Sequence, residues 1–75
     1  MSAFAVILVR TTSDAIHAER VLKRAGLAVK LIPTPRRLSS DCGSAVRIGA
    51  GDRAESERLL GEANVSIDRI ELLEM

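Results

Sequence analysis

The chain has 75 residues, of which 47% are hydrophobic and 28% charged, and its formal net charge is +1. This length suits one domain over residues 1–75 with a small core, and the balanced charge predicts no broad surface for nucleic acid or an anionic membrane. Phe4 is the only aromatic residue, so bases would find almost nothing on which to stack.

The N-terminal apolar run, Ala3 to Val9, is too short to span a bilayer and follows no basic segment. Cys42 is the only cysteine, which excludes an internal disulfide and fits a reducing compartment. We therefore predict a cytoplasmic protein that does not span a membrane.

The first predicted strand, Phe4 to Val9, is continuously apolar and rich in branched residues. This pattern is typical of a central strand that is covered on both faces. A helix is predicted next, with an N-cap at Thr12, Ser13 or Asp14 and a C-terminal stop at Gly26. Its apolar face is predicted from residues that recur at helical spacing: Ala15, Ala18, Val21, Leu22 and Ala25.

Three further strands are predicted. The first, Leu27 to Ile32, ends at Pro33, because proline removes a backbone donor from the sheet. The second is "AVRIGA", Ala45 to Ala50, with Val46 and Ile48 on one face, and the last is "RIELLE", Arg69 to Glu74.

A second helix is predicted between the last two strands. Asp52 matches an N-cap, Glu55 supplies an acidic residue at the third helical position, and the pattern continues to about Ala63. Leu59, Leu60 and Ala63 form its apolar stripe, which Gly61 weakens.

The resulting order, β-α-β-β-α-β, predicts an α+β fold of the ferredoxin-like type, an antiparallel sheet with two helices on one face. Two right-handed crossovers would place the first and third strands side by side in its centre. This fold supports many unrelated functions, so the function has to be argued from a site.

The connection between the second and third strands is unusually long. Pro33 to Ser44 is about three times the roughly 2–5 residues that join paired strands. Loops of this length in compact domains are usually functional or disordered. The connection also holds both prolines, the adjacent Arg36 and Arg37, and Cys42. We therefore expect the functional site in this segment.

Cys42 lies between Asp41 and Gly43 and not in an apolar run, which favours an exposed thiol over a buried one. Arg36 and Arg37 would lower the pKa of the thiol if the loop folds back, whereas Asp41 would raise it, and the sequence leaves both directions open. Gly43 can adopt a positive φ, which would let the backbone turn tightly beside the sulfur.

The stretch "SDAIHAERVLKRAGLAVKLIPTPRRLSSDCGSAVRI" resembles the selenium/sulfur carrier protein-like family, whose small domains have a Pro-x-Pro-Arg segment and a later Cys-Gly pair. The resemblance covers nearly the whole chain. It rests on these residues in order: Glu19, Leu22, Gly26, Pro33, Pro35, Arg36, Cys42 and Gly43. The chain lacks the Cys-Pro-x-Pro motif of better-known small sulfur carriers.

The resemblance implies a carrier that holds a sulfur or selenium atom on Cys42 as a persulfide or perselenide. Arg36, with Arg37 as a second candidate, would then stabilise the anionic terminal atom, and the amides of Gly43 and Ser44 could add hydrogen bonds. The partners would be a donor and an acceptor protein. A single cysteine suits this chemistry, because a second one would resolve the persulfide into a disulfide. No cofactor is implied, and one histidine, His17, with one cysteine does not make a zinc site.

Two other functions remain open from the residues alone. The chain could be a non-catalytic interaction module, including a homodimer, with "PTPRR" as a recognition segment. It could also be a thiol redox sensor that forms a sulfenic acid or a mixed disulfide at Cys42.

Overall fold

The computed structural model describes residues 3–38 and 43–74. The elements are β1 (Ala3–Leu8), α1 (Thr12–Arg24), β2 (Val29–Pro33), β3 (Ser44–Gly49), α2 (Arg53–Glu62) and β4 (Arg69–Glu74). The strands form one four-stranded antiparallel sheet in the order β2-β3-β1-β4. The predicted α+β, ferredoxin-like βαββαβ fold is confirmed, with β1 and β3 in the centre of the sheet.

β1 is covered on both sides, as its apolar sequence predicts. Ala5 and Ile7, together with Val9 just after the strand, pack into the main core with residues of α1 and α2, so both helices cover one face of the sheet. Val6 and Leu8 belong to a second, smaller cluster on the opposite face. All five residues are fully buried.

We call that opposite side the helix-free face. The register assigns ten side chains to it: Phe4, Val6, Leu8, Lys30, Ile32, Ala45, Arg47, Arg69, Glu71 and Leu73. Val6, Leu8 and Ala45 are buried there by the side chains around them, which include Phe4 and Leu38.

α1 begins one residue earlier than predicted. Thr11 is the N-cap, and its Oγ1 accepts a hydrogen bond of 3.1 Å from the backbone N–H of Asp14. The predicted cap at Thr12, Ser13 or Asp14 is therefore wrong. Thr11 has the extended backbone that an N-cap requires, whereas Thr12 is already helical.

The C-terminus of α1 is the predicted glycine stop. Gly26 has φ of 88°, its N–H donates to the carbonyl of Lys23, and the N–H of Leu27 donates to the carbonyl of Leu22. These two bonds satisfy carbonyls at the helix end in the Schellman pattern. Because Leu27 completes this motif, β2 starts at Val29 and not at the predicted Leu27.

α2 follows a 3₁₀ turn at Ala50–Asp52, and Asp52 is its N-cap residue as predicted, although its side chain makes no capping hydrogen bond. Leu60 is buried, and Leu59 and Ala63 pack against the core, which confirms the predicted stripe. Ser56 is also fully buried, and its hydroxyl has no hydrogen-bond partner among the described residues.

The predicted face of α1 is confirmed with one exception. Ala15, Ala18 and Leu22 are fully buried and Val21 packs against the core, whereas Ala25 is exposed. Ala25 is the C-cap residue, where the chain already leaves the helical path.

Candidate functional site

The two ends of the β2–β3 connection are held together by backbone hydrogen bonding. Pro33 pairs with Ser44 in the sheet, and the N–H of Thr34 donates to the carbonyl of Gly43 at 2.9 Å. The pairing therefore continues beyond Pro33, the residue at which the sequence predicted the end of the strand. Residues 35–42 connect these paired positions.

The first part of the connection is a tight turn. The N–H of Leu38 donates to the carbonyl of Pro35 at 2.9 Å, which places Arg36 and Arg37 at the two central positions of the turn. Both arginines are exposed. They form no ion pair with another residue in the described ranges 3–38 and 43–74.

Leu38 attaches this turn to the sheet. Its side chain packs against the buried cluster of Val6, Leu8 and Ala45 on the helix-free face. Burying an apolar side chain of this size contributes roughly 1.5–3 kcal/mol when burial is complete, and Leu38 is half-buried. The contact therefore holds the two arginines at the loop end of this face.

Cys42, the predicted acceptor of sulfur or selenium, lies outside the described residues, as does Asp41. Gly43, to which Cys42 is bonded, is described and exposed. Gly43 continues the pairing of the two strands through its carbonyl, and a Cβ there would meet no atom of the described residues within 4 Å.

The structure thus brings Arg36, Arg37 and Gly43 to the same end of the β2–β3 hairpin. His17 lies elsewhere and is exposed on α1. Within the described ranges, no three His, Cys, Asp or Glu side chains come together in a way that could hold a metal ion.

None of the described helices is both long enough and apolar enough to cross a membrane.

A second feature was not among the residues singled out from the sequence. A cleft of about 570 Å³ opens at the opposite end of the sheet, where Phe4, Lys30, Arg47 and Gly49 contribute to its lining. Lys30 and Arg47 are the charged residues of β2 and β3, which are otherwise largely apolar, so each could have been noticed in the sequence as a candidate functional residue. Their proximity depends on the register of β2 against β3, which only the structure provides.

Residues 4–71 match the family described as "Putative Se/S carrier protein-like". The chain belongs to this family. The match confirms the resemblance inferred from the Pro-x-Pro-Arg segment and the Cys-Gly pair, and it includes the whole β2–β3 connection of this Se/S carrier-like protein. Neither the curated proteins nor the solved structures contain a significant match.

Proposed function

We propose that this Se/S carrier-like protein holds a sulfur or selenium atom on Cys42 and transfers it from a donor protein to an acceptor protein. The observation that carries the proposal is the family match over residues 4–71, which includes Arg36, Cys42 and Gly43. The single cysteine supports it further, because no second thiol of the same chain can displace the cargo.

The loading step would be a redox-neutral exchange between two thiols. The thiolate of Cys42 attacks the terminal sulfur of a donor persulfide, a new S–S bond forms at Cys42, and the donor S–S bond breaks. The electron pair of the broken bond leaves on the donor thiolate. Unloading is the same exchange with the acceptor thiol as the attacking group, and a selenium atom would follow the same path.

In this proposal Arg36 stabilises the anionic forms of Cys42. Its guanidinium is exposed and without an ion-pair partner among the described residues, so it is available for a charge-assisted contact with a thiolate or a terminal persulfide. The backbone of Gly43 would contribute by fixing the chain beside the sulfur, since its carbonyl is bonded to Thr34. A reducing compartment such as the cytoplasm would keep the thiol free between cycles.

The test is to load the purified, reduced protein with a cysteine desulfurase and its substrate and to measure the intact mass. We expect one additional sulfur atom per chain on the wild type and none on the Cys42→Ser variant. Peptide mapping of the wild type should assign the added atom to Cys42.

Two outcomes would contradict the carrier. If no atom is added to the wild type, the protein does not accept sulfur from the desulfurase. If the same mass is added to Cys42→Ser, the atom is bound at a residue other than Cys42. A sulfenic acid or mixed disulfide at Cys42 under mild oxidant, without persulfide loading, would instead indicate a redox sensor.

A further inference from the structure

The cleft at the far end of the sheet combines two positive side chains with an open cavity. It has a volume of about 570 Å³, within the range typical of small-molecule sites, and Lys30 and Arg47 are the charged residues among its described lining. Thr34 lies four positions after Lys30 and Gly43 lies four positions before Arg47, so the Thr34–Gly43 pair is roughly 13 Å from the cations along the strands. The cleft is therefore separate from the β2–β3 connection.

The two cations face each other directly. Lys30 of β2 pairs in register with Arg47 of β3, so their side chains leave the sheet on the same face. Opposite residues of antiparallel strands have Cβ atoms about 4.5–5.5 Å apart, and like charges in this arrangement destabilise the pair. An anion bound between them would remove that repulsion.

No carboxylate whose side chain the structure describes forms an ion pair with Lys30 or Arg47. The described ion pairs use the cations Lys23, Arg53, Arg58 and Arg69. Glu71 lies on the same face, but its carboxylate accepts a hydrogen bond of 2.9 Å from Arg69.

Among the described side chains, the carboxylate of Asp52 at the N-terminus of α2 is also nearby. Its Oδ2 lies 3.2 Å from the point at which a Cβ on Gly49 would stand, so it is close to the cleft rim. It forms no ion pair with Lys30 or Arg47 in the described part of the chain.

Arg47 is held in place for such an interaction. Its guanidinium carbon lies 5.4 Å from the centre of the Phe4 ring, the only aromatic ring of the chain. A guanidinium over an aromatic face keeps the N–H donors at its edge available for two parallel bonds to an oxyanion. Lys30, which is paired with Arg47 on the neighbouring strand, supplies an ammonium group on a flexible side chain.

We propose that this cleft is a binding site for a phosphate group, either the free ion or the phosphate of a small phosphorylated molecule. The guanidinium of Arg47 and the ammonium of Lys30 bind the phosphate oxygens from two neighbouring strands. This site is independent of Cys42, and its occupation does not require the carrier function.

The test is a titration of the isotopically labelled full chain with inorganic phosphate at constant ionic strength, followed through backbone amide chemical shifts. We expect saturable shifts at Phe4, Lys30, Arg47 and Gly49. A second titration with a small phosphomonoester distinguishes the two sources: tighter binding than phosphate indicates a phosphorylated molecule, and equal binding indicates the free ion.

Three variants test the assignment to the two cations. Lys30→Gln and Arg47→Gln should each weaken phosphate binding about tenfold, since each removes a charge-assisted hydrogen-bond donor. Arg47→Lys keeps the charge but loses the paired donors, so it should fall between Arg47→Gln and the wild type. The matched control is Arg20→Gln, which removes the same charge from an exposed position on α1 and should change binding less than about twofold.

Three results would contradict the proposed phosphate site. The first is the absence of saturable amide shifts on addition of phosphate. The others are a loss of phosphate affinity in Arg20→Gln equal to that in the cleft variants, and unchanged phosphate affinity in both Lys30→Gln and Arg47→Gln. Equally tight binding of acetate would also overturn it, because a phosphate site should prefer the doubly charged oxyanion. Dispersed amide spectra of the variants will separate loss of binding from loss of the fold.

Discussion

Arg36 is the described residue with the most direct predicted effect on the thiol. It occupies a central position of the Pro35–Leu38 turn, and the packing of Leu38 holds this turn against the sheet. An anchored turn restricts where the guanidinium can lie more than a free loop would. The sequence predicted the residue types of this site, but the attachment through Leu38 depends on contacts with three distant positions, Val6, Leu8 and Ala45.

We predict that Arg36→Ala raises the pKa of the Cys42 thiol, because a positive charge that stabilises the thiolate is removed. Alkylation of Cys42 near neutral pH should then be slower, because a smaller fraction of the thiol is ionised. The measurement is the alkylation rate against pH, followed by intact mass. Arg20→Ala, which removes the same charge from exposed α1, is the control.

An unchanged alkylation profile in Arg36→Ala would mean that Arg36 does not act on the thiol. The same profile for Arg37→Ala would then show whether the second arginine of the turn acts in its place. If Arg20→Ala shifts the apparent pKa of the thiol by the same amount, the effect is one of net charge, and neither Arg36 nor Arg37 acts on Cys42 specifically.

Both helices end in the same hydrogen-bond pattern, but with different residues. At the end of α1, Gly26 takes the positive φ, and at the end of α2 Asn64 takes it with φ of 57°. The N–H of Val65 donates to the carbonyl of Leu60, and the N–H of Asn64 donates to that of Gly61. Asparagine tolerates this backbone better than most residues with a side chain.

Two glycines therefore have opposite predicted effects on stability. Gly26→Ala should lower the free energy of unfolding by about 1–2 kcal/mol, because alanine disfavours a left-handed backbone. Gly61→Ala should raise it by about 0.5–1 kcal/mol, because Gly61 is within α2, has no positive φ, and leaves open space for a Cβ.

Urea unfolding at fixed protein concentration measures both effects. Far-ultraviolet circular dichroism is the suitable signal, because the chain contains no tryptophan or tyrosine. Equal losses of stability in both variants would contradict the assignment of the two backbone conformations, since only one of the glycines is placed in the left-handed region.

Local sequence signals predicted the elements better than their boundaries. β4 has the predicted bounds, Arg69–Glu74. The start of α1 was ambiguous, since Thr11, Thr12, Ser13 and Asp14 are all residue types that cap helices, and the backbone angles select Thr11. Ser56 was not identified as buried, because its position depends on how α2 packs against the rest of the molecule.

At the scale of the whole molecule, the sheet has two differently covered faces. One is covered by both helices, and the other is covered only partly, by side chains such as Phe4, Leu38 and Leu73. The element order and the apolar β1 were sufficient to predict the first face and the central position of β1. The second face could not be predicted in detail, because the pairing of Lys30 with Arg47 follows from the register and not from spacing within one strand.

The Pro35–Leu38 turn and the cleft lie at different ends of the sheet, so we expect the two proposed functions to be separable. Lys30→Gln should leave loading of Cys42 by the desulfurase unchanged, whereas Cys42→Ser should leave phosphate binding unchanged. Loss of both activities in either variant, with the fold retained, would contradict this separation.

The central claim is that Cys42 carries a transferable sulfane sulfur, and its most direct test is cyanolysis of the loaded protein. Cyanide removes the outer sulfur of a persulfide as thiocyanate and leaves the thiolate, whereas it does not release thiocyanate in this way from a sulfenic acid. After loading and removal of the donor, we predict one thiocyanate per chain from the wild type, return of the intact mass to the unmodified value, and no thiocyanate from Cys42→Ser. No thiocyanate from the loaded wild type, or the same amount from Cys42→Ser, would contradict the carrier function.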